Sequence, residues 1–374
     1  MTRLYNRWIL AAAIAGTAVF SPLPVSAPPM PVASADQNEP VPLNVRESID
    51  KALAWLAKDQ HADGTFTQGD AAGTTAVPSL AVMAFLARGH VPGQGPYGDT
   101  IYRSIDYILD SQQPSGLICR HQNGNQVMYE HGISTVMLAE VYGMVDDARR
   151  EKIGKALAKS AKLILDAQRP NGRPKDNKEY AGGWRYQVTS VDSDISVTGW
   201  QMMALRGAAN CGADIPKAQL EAAREYILRS AVPTGGFSYQ PHQPPNQART
   251  GTGILMLELF KGLDDKLPPG EHPKEALAGG DYLMTNPPDN PGMEFYYYGV
   301  YYCAQALNQL GGKYWDTIYP KKLRDTLLAQ QKPDGHFDGS NGQEQQAGPA
   351  YRTAMACLAL CVPYRYLPIY QNDK

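Results

Sequence analysis

From residue 43 onward the chain alternates between two kinds of apolar pattern. One is amphipathic at helical period. In residues 217–229, Leu220, Ala223 and Ile227 form a stripe while Glu221, Arg224 and Glu225 point away from it, which predicts a helix with one wet face. The other is apolar on nearly all sides. Residues 197–209, 253–260 and 354–362 carry few charges, as helices covered by neighbours do. Gly89, Gly143, Gly212, Gly262 and Gly311 follow the apolar helices as predicted C-caps, and Pro216 and Pro273 stand where amphipathic helices open.

The alternation has a period. A Gln near a helix end, then Gly, then an aromatic residue recurs as Gln60 to Gly64 and Phe66, Gln113 to Gly116, Gln168 to Gly172 and Trp184, and Gln331 to Gly335 and Phe337. Worn copies run from Ser230 to Gly235, Gly236 and Phe237, and from Thr285 to Gly292. The anchors at 60, 113, 168, 230, 285 and 331 are 53, 55, 62, 55 and 46 residues apart, the length of a helix pair with its loops. Six outer and six inner helices in one chain predict an all-α fold, an α/α toroid closed on itself (an α6/α6 barrel). An open array would need polar capping repeats, whereas the last inner segment, residues 351–362, is as apolar as the middle ones. No linker follows residue 42, so residues 43–374 read as one domain.

Composition refines this picture in three places. Net charge is -2, which supplies no basic field for nucleic acid. Residues 1–35 have the layout of a secretory signal peptide: Arg3 and Arg7 precede an apolar run from Ile9 to Phe20, with small residues at cleavage points after Ala27 or Ala35. A short disordered segment, 36–42, would follow it. The run is too short to span a bilayer comfortably, so the expected protein is secreted or periplasmic, with no membrane span in its mature chain. The five cysteines include no C-x-x-C pair, which argues against a zinc ribbon or a thioredoxin-like centre. Cys357 and Cys361, four apart on an apolar helix, are expected to pack as small hydrophobes.

The repeat units, the stretch from Gly183-Trp184-Arg185-Tyr186 to Asp194-Ile195-Ser196-Val197-Thr198-Gly199-Trp200-Gln201, and Tyr351-Arg352-Thr353-Ala354 together resemble the terpenoid cyclase and protein prenyltransferase superfamily. The resemblance covers essentially the whole chain after the leader, and it implies the same toroid. It implies activity less directly, because one fold hosts many chemistries. Squalene-hopene cyclases protonate a polyene with the middle Asp of Asp-x-Asp-Asp; Asp192-Ser193-Asp194 is similar, but Ile195 replaces the third carboxylate. Protein prenyltransferases hold zinc with Asp, Cys and His. Here Arg352 stands where that family places its His, and Glu294-Phe295-Tyr296 lacks the Cys. An arginine cannot ligate zinc, so no metal and no cofactor are expected. The Gly-Cys-Gly-Glu-Gln context of the thioester domains is missing as well.

In a toroid the inner helices begin at one mouth. Residues placed there are Thr74, Thr75, Glu130, His131, Asp192, Asp194, Arg249, Thr250, Glu294, Tyr296, Arg352 and Thr353. Helix dipoles account for the acids Glu130, Asp194 and Glu294; Asp194 can equally be an N-cap. Arg249 and Arg352 gain nothing from those dipoles, so they pair with the acids or bind an anion. Asp194, Asp192, Glu294 and His131 are the candidate catalytic residues, with His131 either a general base or a hydrogen-bonded core histidine, and Asp194 as an acid kept neutral by burial and by Asp192. Glu130, Arg249, Tyr296, Tyr297, Tyr298 and Arg352 are the candidate ligand-binding residues, the tyrosines lining an apolar pocket. No P-loop, dinucleotide fingerprint, nucleophile elbow or His-Glu-x-x-His is present. The expectation is a toroid that binds a small apolar or amphiphilic ligand, or a partner's protein segment, without zinc-dependent prenylation. Two alternatives stand beside it: a cyclase-like acid catalyst using Asp194 and Asp192, and a polysaccharide-active enzyme, for which Asp194 and Glu294 would be the carboxylate pair.

Overall fold

The computed structural model describes residues 41–67, 69, 73–120, 126–168, 178–338 and 342–371; the expected signal peptide lies outside them. Val41 is already buried in the core and Pro42 is the N-cap of the first helix, so the end of the segment read as disordered is packed. The helices are α1 (Leu43–Asp59), α2 (Ala76–Ala87), α3 (Gly98–Asp110), α4 (Val127–Val141), α5 (Asp147–Gln168), α6 (Ile195–Asn210), α7 (Lys217–Arg229), α8 (Gln247–Leu259), α9 (Lys274–Thr285), α10 (Tyr296–Leu310), α11 (Gly312–Ile318), α12 (Asp325–Leu328), α13 (Gly342–Ala347) and α14 (Pro349–Leu360). A π-helical turn, Tyr319–Arg324, joins α11 to α12; Pro320 has no N–H to keep the regular ladder there. Among the described residues β structure is limited to isolated bridges.

The chain is an all-α, α/α toroid. The inner helices α2, α4, α6, α8, α10 and α14 contact one another in that order, and α14 returns to α2 to close the ring. The outer helices fill the crevices from outside: α1 against α14 and α2, α5 against α4 and α6, α7 against α6 and α8, and α9 against α8 and α10. Glycines allow the inner helices to approach closely. A Cβ at Gly132 would strike Gln201 and Trp200, and one at Gly251 would strike Tyr302 and Cys303.

The repeated Gln-to-Gly segments join successive outer helices. Gln60 Nε2 donates to Thr100 O at 2.8 Å on α3, Gln112 Nε2 to Ala156 O at 3.0 Å on α5, and Gln168 Nε2 to Gln219 O at 2.8 Å on α7. Gln331 Nε2 donates to Ser48 O at 2.8 Å on α1 and so closes the outer layer. Gly64, Gly116, Gly182, Gly235 and Gly335 all have positive φ, and each lies against a backbone carbonyl of the next outer helix; a side chain would be excluded on both counts. Gly172, the glycine expected in the third unit, lies outside the described residues, and two other expectations are corrected. The second staple uses Gln112, while its neighbour Gln113 donates to Cys119 O at 3.3 Å within its own loop. In the unit at 285, Asn286 Nδ2 turns back to Tyr282 O at 3.0 Å.

The motif aromatics are buried, and the N–H groups of Trp184, Phe237 and Phe337 are tied to the inner helices. Trp184 N donates to Thr198 Oγ1, Phe237 N to Thr250 Oγ1 and Phe337 N to Thr353 Oγ1, at 3.0 to 3.1 Å. As expected, Gly89, Gly212 and Gly311 end inner helices with positive φ. Gly143 and Gly262 do not, because Tyr142 stays helical after α4 and the chain after α8 tightens into a 3-10 turn, Lys261–Leu263. All five cysteines are free thiols.

Candidate functional site

The starts of α2, α6, α8 and α10 are satisfied by polar side chains, in an order the sequence only partly announces. Asp194 is the N-cap of α6: its Oδ1 accepts from Ser196 N at 3.0 Å and Val197 N at 2.9 Å. Asn246 does the same for α8, accepting from Arg249 N at 2.9 Å. Glu130 caps a neighbour: its Oε2 accepts from Thr75 N at 2.9 Å, at the start of α2, and Cys119 Sγ lies 3.3 Å from Oε1. Glu344, on α13, caps α10 by accepting from Tyr297 N at 3.1 Å and Tyr298 N at 2.9 Å. Sequence reasoning missed Glu344. It assigned the role to Glu294, which is exposed on the turn before α10 and makes no ion pair among the described residues.

Two other candidates are structural. His131 is fully buried, with Nδ1 accepting from Ile118 N at 3.1 Å and Nε2 3.3 Å from Ser160 O. It occupies the place that Thr198, Thr250 and Thr353 take in other units. Burial pushes its pKa down to about 4, and both ring nitrogens already face backbone groups, so no nitrogen is left for a substrate proton. Arg352 donates to Glu344 O at 3.0 Å and Phe337 O at 3.3 Å and pairs with Asp338 at 3.1 Å. It ties α14 to the loop beneath it.

What remains open at this mouth is a cup of phenols. Tyr129 on α4, Tyr298 on α10 and Tyr351 on α14 keep part of their surface accessible although protein surrounds them on nearly all sides. They therefore line a concavity. Tyr186 and Tyr239, whose hydroxyls hydrogen-bond each other, continue the rim, and Tyr186 lies 6.0 Å from Tyr129. Trp200, Tyr301 and Tyr302 form the floor, stacked at 5.9 Å and edge-on at 5.7 Å, and all are buried. Of the three tyrosines singled out from sequence, only Tyr298 borders the cup. Tyr296 and Tyr297 are enclosed in the wall, with Tyr297 Oη donating to Asp338 O at 2.7 Å.

Charge gathers at the rim. Arg185 pairs with Asp192 at 3.0 Å, lies 3.9 Å from Asp194 Oδ2, and sits over the rings of Tyr186 and Tyr239 at 4.8 and 5.4 Å. Asp194 is wholly buried, and its Oδ2 has no hydrogen-bond partner among the described residues. Desolvation pushes its pKa up to about 7, against the pull of two backbone N–H groups and Arg185. Arg249 lies 5.1 Å over the Tyr239 ring.

The opposite mouth is closed by residues 362–371. Ile369 N donates to Glu140 Oε1 at 3.0 Å, Arg206 donates to Gln371 O at 2.6 Å, Gln309 to Tyr370 O at 2.7 Å, and the hydroxyls of Tyr301 and Tyr370 meet. Burial pushes Glu140 up to about 8. A separate recess of about 590 Å³, bordered by Arg103, Asp106, Tyr107, Asp110 and Arg120, lies outside the ring; there Arg149 pairs with Asp106 and Arg120 donates to Ser111. Among the described residues no three His, Cys, Asp or Glu side chains are grouped to hold a metal, and no helix is long and apolar enough to cross a membrane.

A closed α/α toroid with an aromatic cup at its inner-helix mouth defines the class. The chain belongs to the prenyltransferase alpha-alpha toroid domain family, whose sequence profile matches residues 39–267 and 294–371. It is similar in structure to a variant of the type II terpene cyclase MstE from Scytonema in complex with its substrate geranylgeranyl dihydroxybenzoate. The two are 12% identical with a TM-score of 0.55, over 87% of this chain and 98% of that one. It is also similar to an inactive variant of the GH76A alpha-1,6-mannanase from Salegentibacter in complex with alpha-1,6-mannotriose, at 12% identity and a TM-score of 0.58, over 85% of this chain and 99% of that one. Likenesses at this identity share the fold alone. No curated protein sequence matches the chain.

Proposed function

We propose that the protein binds the apolar end of a small amphiphile in the tyrosine cup, without zinc-dependent prenylation. The observation that carries this reading is the set of Tyr129, Tyr298 and Tyr351, enclosed yet still partly accessible. A wall of phenols offers apolar ring faces to a hydrocarbon. A floor filled by Trp200, Tyr301 and Tyr302 favours a short chain or compact ring system over a long polyene. The test is mass spectrometry of organic extracts of the protein purified from producing cells: a stoichiometric lipid or isoprenoid supports the reading, and an empty extract together with no uptake of added amphiphile sinks it. The N-terminal leader supports export to the periplasm or exterior, which the mass of the mature chain tests directly; an intact Met1 in the purified protein rejects it.

A second reading, acid catalysis by Asp194, is favoured by one observation. A carboxyl with one oxygen committed to capping and the other uncommitted, held near neutral pKa by burial, has the form of a proton donor at pH 7. Asp192 would act through Arg185 in orienting it. Turnover of an isoprenoid that survives in Asp194→Asn excludes this role.

A further inference from the structure

We propose that the recess on α3 is a second binding site, for a small zwitterion that carries an ammonium and a carboxylate, as a free amino acid or a short peptide does; it is independent of the amphiphile reading above. Arg103, Asp106, Tyr107 and Asp110 stand at i, i+3, i+4 and i+7 of α3 and so share one face of that helix. Asp63, in the turn after α1, and Arg120, beyond the end of α3, border the same hollow of about 590 Å³, a size within the range of small-molecule pockets.

The fold answers some of these charges and leaves others. Asp106 is neutralised by Arg149, which donates to it twice, at 2.9 and 2.7 Å. Asp63 is committed to its own turn, accepting from Thr65 N at 3.0 Å and Thr65 Oγ1 at 2.6 Å. Asp110 is exposed and makes no hydrogen bond or ion pair among the described residues. The two arginines are held by neutral oxygens. Arg103 donates to Gln60 Oε1 at 2.9 Å and Thr100 Oγ1 at 3.3 Å, and Arg120 donates to Ser111 Oγ at 2.9 Å with its guanidinium 4.8 Å from the centre of the Tyr107 ring. Among the described residues neither has a carboxylate within 4.0 Å. Both guanidiniums are therefore oriented without being neutralised, and each keeps N–H groups for a carboxylate. Asp110 is the acceptor left for an ammonium. A polyanion would meet Asp63 and Asp110 in this hollow, a polycation would meet both arginines, and a neutral polyol would leave the charges unanswered; a ligand bearing both signs satisfies both.

Calorimetric titration of the full chain with trialanine, N-acetyl-trialanine, trialanine amide and alanine tests this, in the wild type, in Asp110→Asn and in the double variant Arg103→Gln, Arg120→Gln. Because the Asp110 side chain makes no hydrogen bond in the fold, Asp110→Asn is expected to melt as the wild type does. Trialanine should bind about fivefold or more tighter than either blocked peptide, as one charge-assisted contact at an open site allows. In Asp110→Asn it should fall to the affinity of N-acetyl-trialanine, whose own binding is unchanged, because Asp110 answers the ammonium. In the double arginine variant it should fall to that of trialanine amide. Alanine binding as tightly as trialanine supports a free amino acid as the ligand, and weaker alanine binding supports a peptide. No binding by either, equal binding of the free and blocked peptides, or a preference for the free ammonium that survives Asp110→Asn overturns the proposal and leaves the amphiphile reading in place.

Discussion

Asp194 and His131, both fully buried in neighbouring units, respond to pH in opposite senses. The pKa of Asp194 is pushed up to about 7, so between about pH 4 and pH 7 the folded chain holds a proton that the unfolded chain releases. Its contribution to stability therefore falls as pH rises through that window, by about 1.4 kcal/mol per pH unit at most. His131, pushed down to about 4, stays neutral where the unfolded chain is protonated, and its contribution falls as pH drops from about 6.5 to 4. Denaturant melts across pH 4–7 should show Asp194→Asn losing the first dependence and His131→Thr the second. At fixed pH, Asp194→Ala should cost roughly 1–2 kcal/mol because the cap is lost, while Asp194→Asn keeps an acceptor and costs less. Asp194 as a cap was legible from its place before an apolar helix. For His131 the sequence left a general base and a hydrogen-bonded core histidine both open, because one unit was considered alone. The signal lay in the repeat: the buried acceptor follows its motif residue by 13, 14, 13 and 16 positions, as His131, Thr198, Thr250 and Thr353.

At the scale of elements, the outer layer is held by backbone carbonyls meeting a glutamine amide and a glycine. Gln331→Ala leaves Ser48 O and Gly335 O without that donor, and should lower stability by about 1–3 kcal/mol; Gln113→Ala, outside the staples, should cost less. Gly335→Ala should be worse than either, since it adds a positive-φ penalty to a clash with the Lys51 carbonyl. The Gln-to-Gly period was legible, but the choice between adjacent Gln112 and Gln113 was not, because only helix phase decides which one reaches Ala156 O. The C-terminal closure was not legible either, since nothing in residues 362–371 repeats. Its buried Glu140, raised to about 8, predicts that the segment is held most firmly at low pH and loosens as pH rises from about 4.5 through 8. Limited proteolysis should release it faster at pH 9 than at pH 6 in the wild type, and at similar rates in Glu140→Gln.

For the whole molecule, ring closure followed from the apolar last helix, and α14 does pack on α1 and α2. The lumen followed less well. Sequence places six helix starts at one mouth, but only the packed ring distinguishes Tyr298, which opens on the cup, from Tyr296 and Tyr297, which do not. Tyr129, Tyr239 and Tyr351 come from three other units, so no local pattern links them. Hydrogen–deuterium exchange of the full chain with and without octan-1-ol tests the cup most directly as the binding site. The account predicts added protection in the first turns of α4, α10 and α14 and in the segments around Tyr186 and Tyr239, with the outer helices unchanged; protection confined to the outer face, or none at saturating ligand, would contradict it.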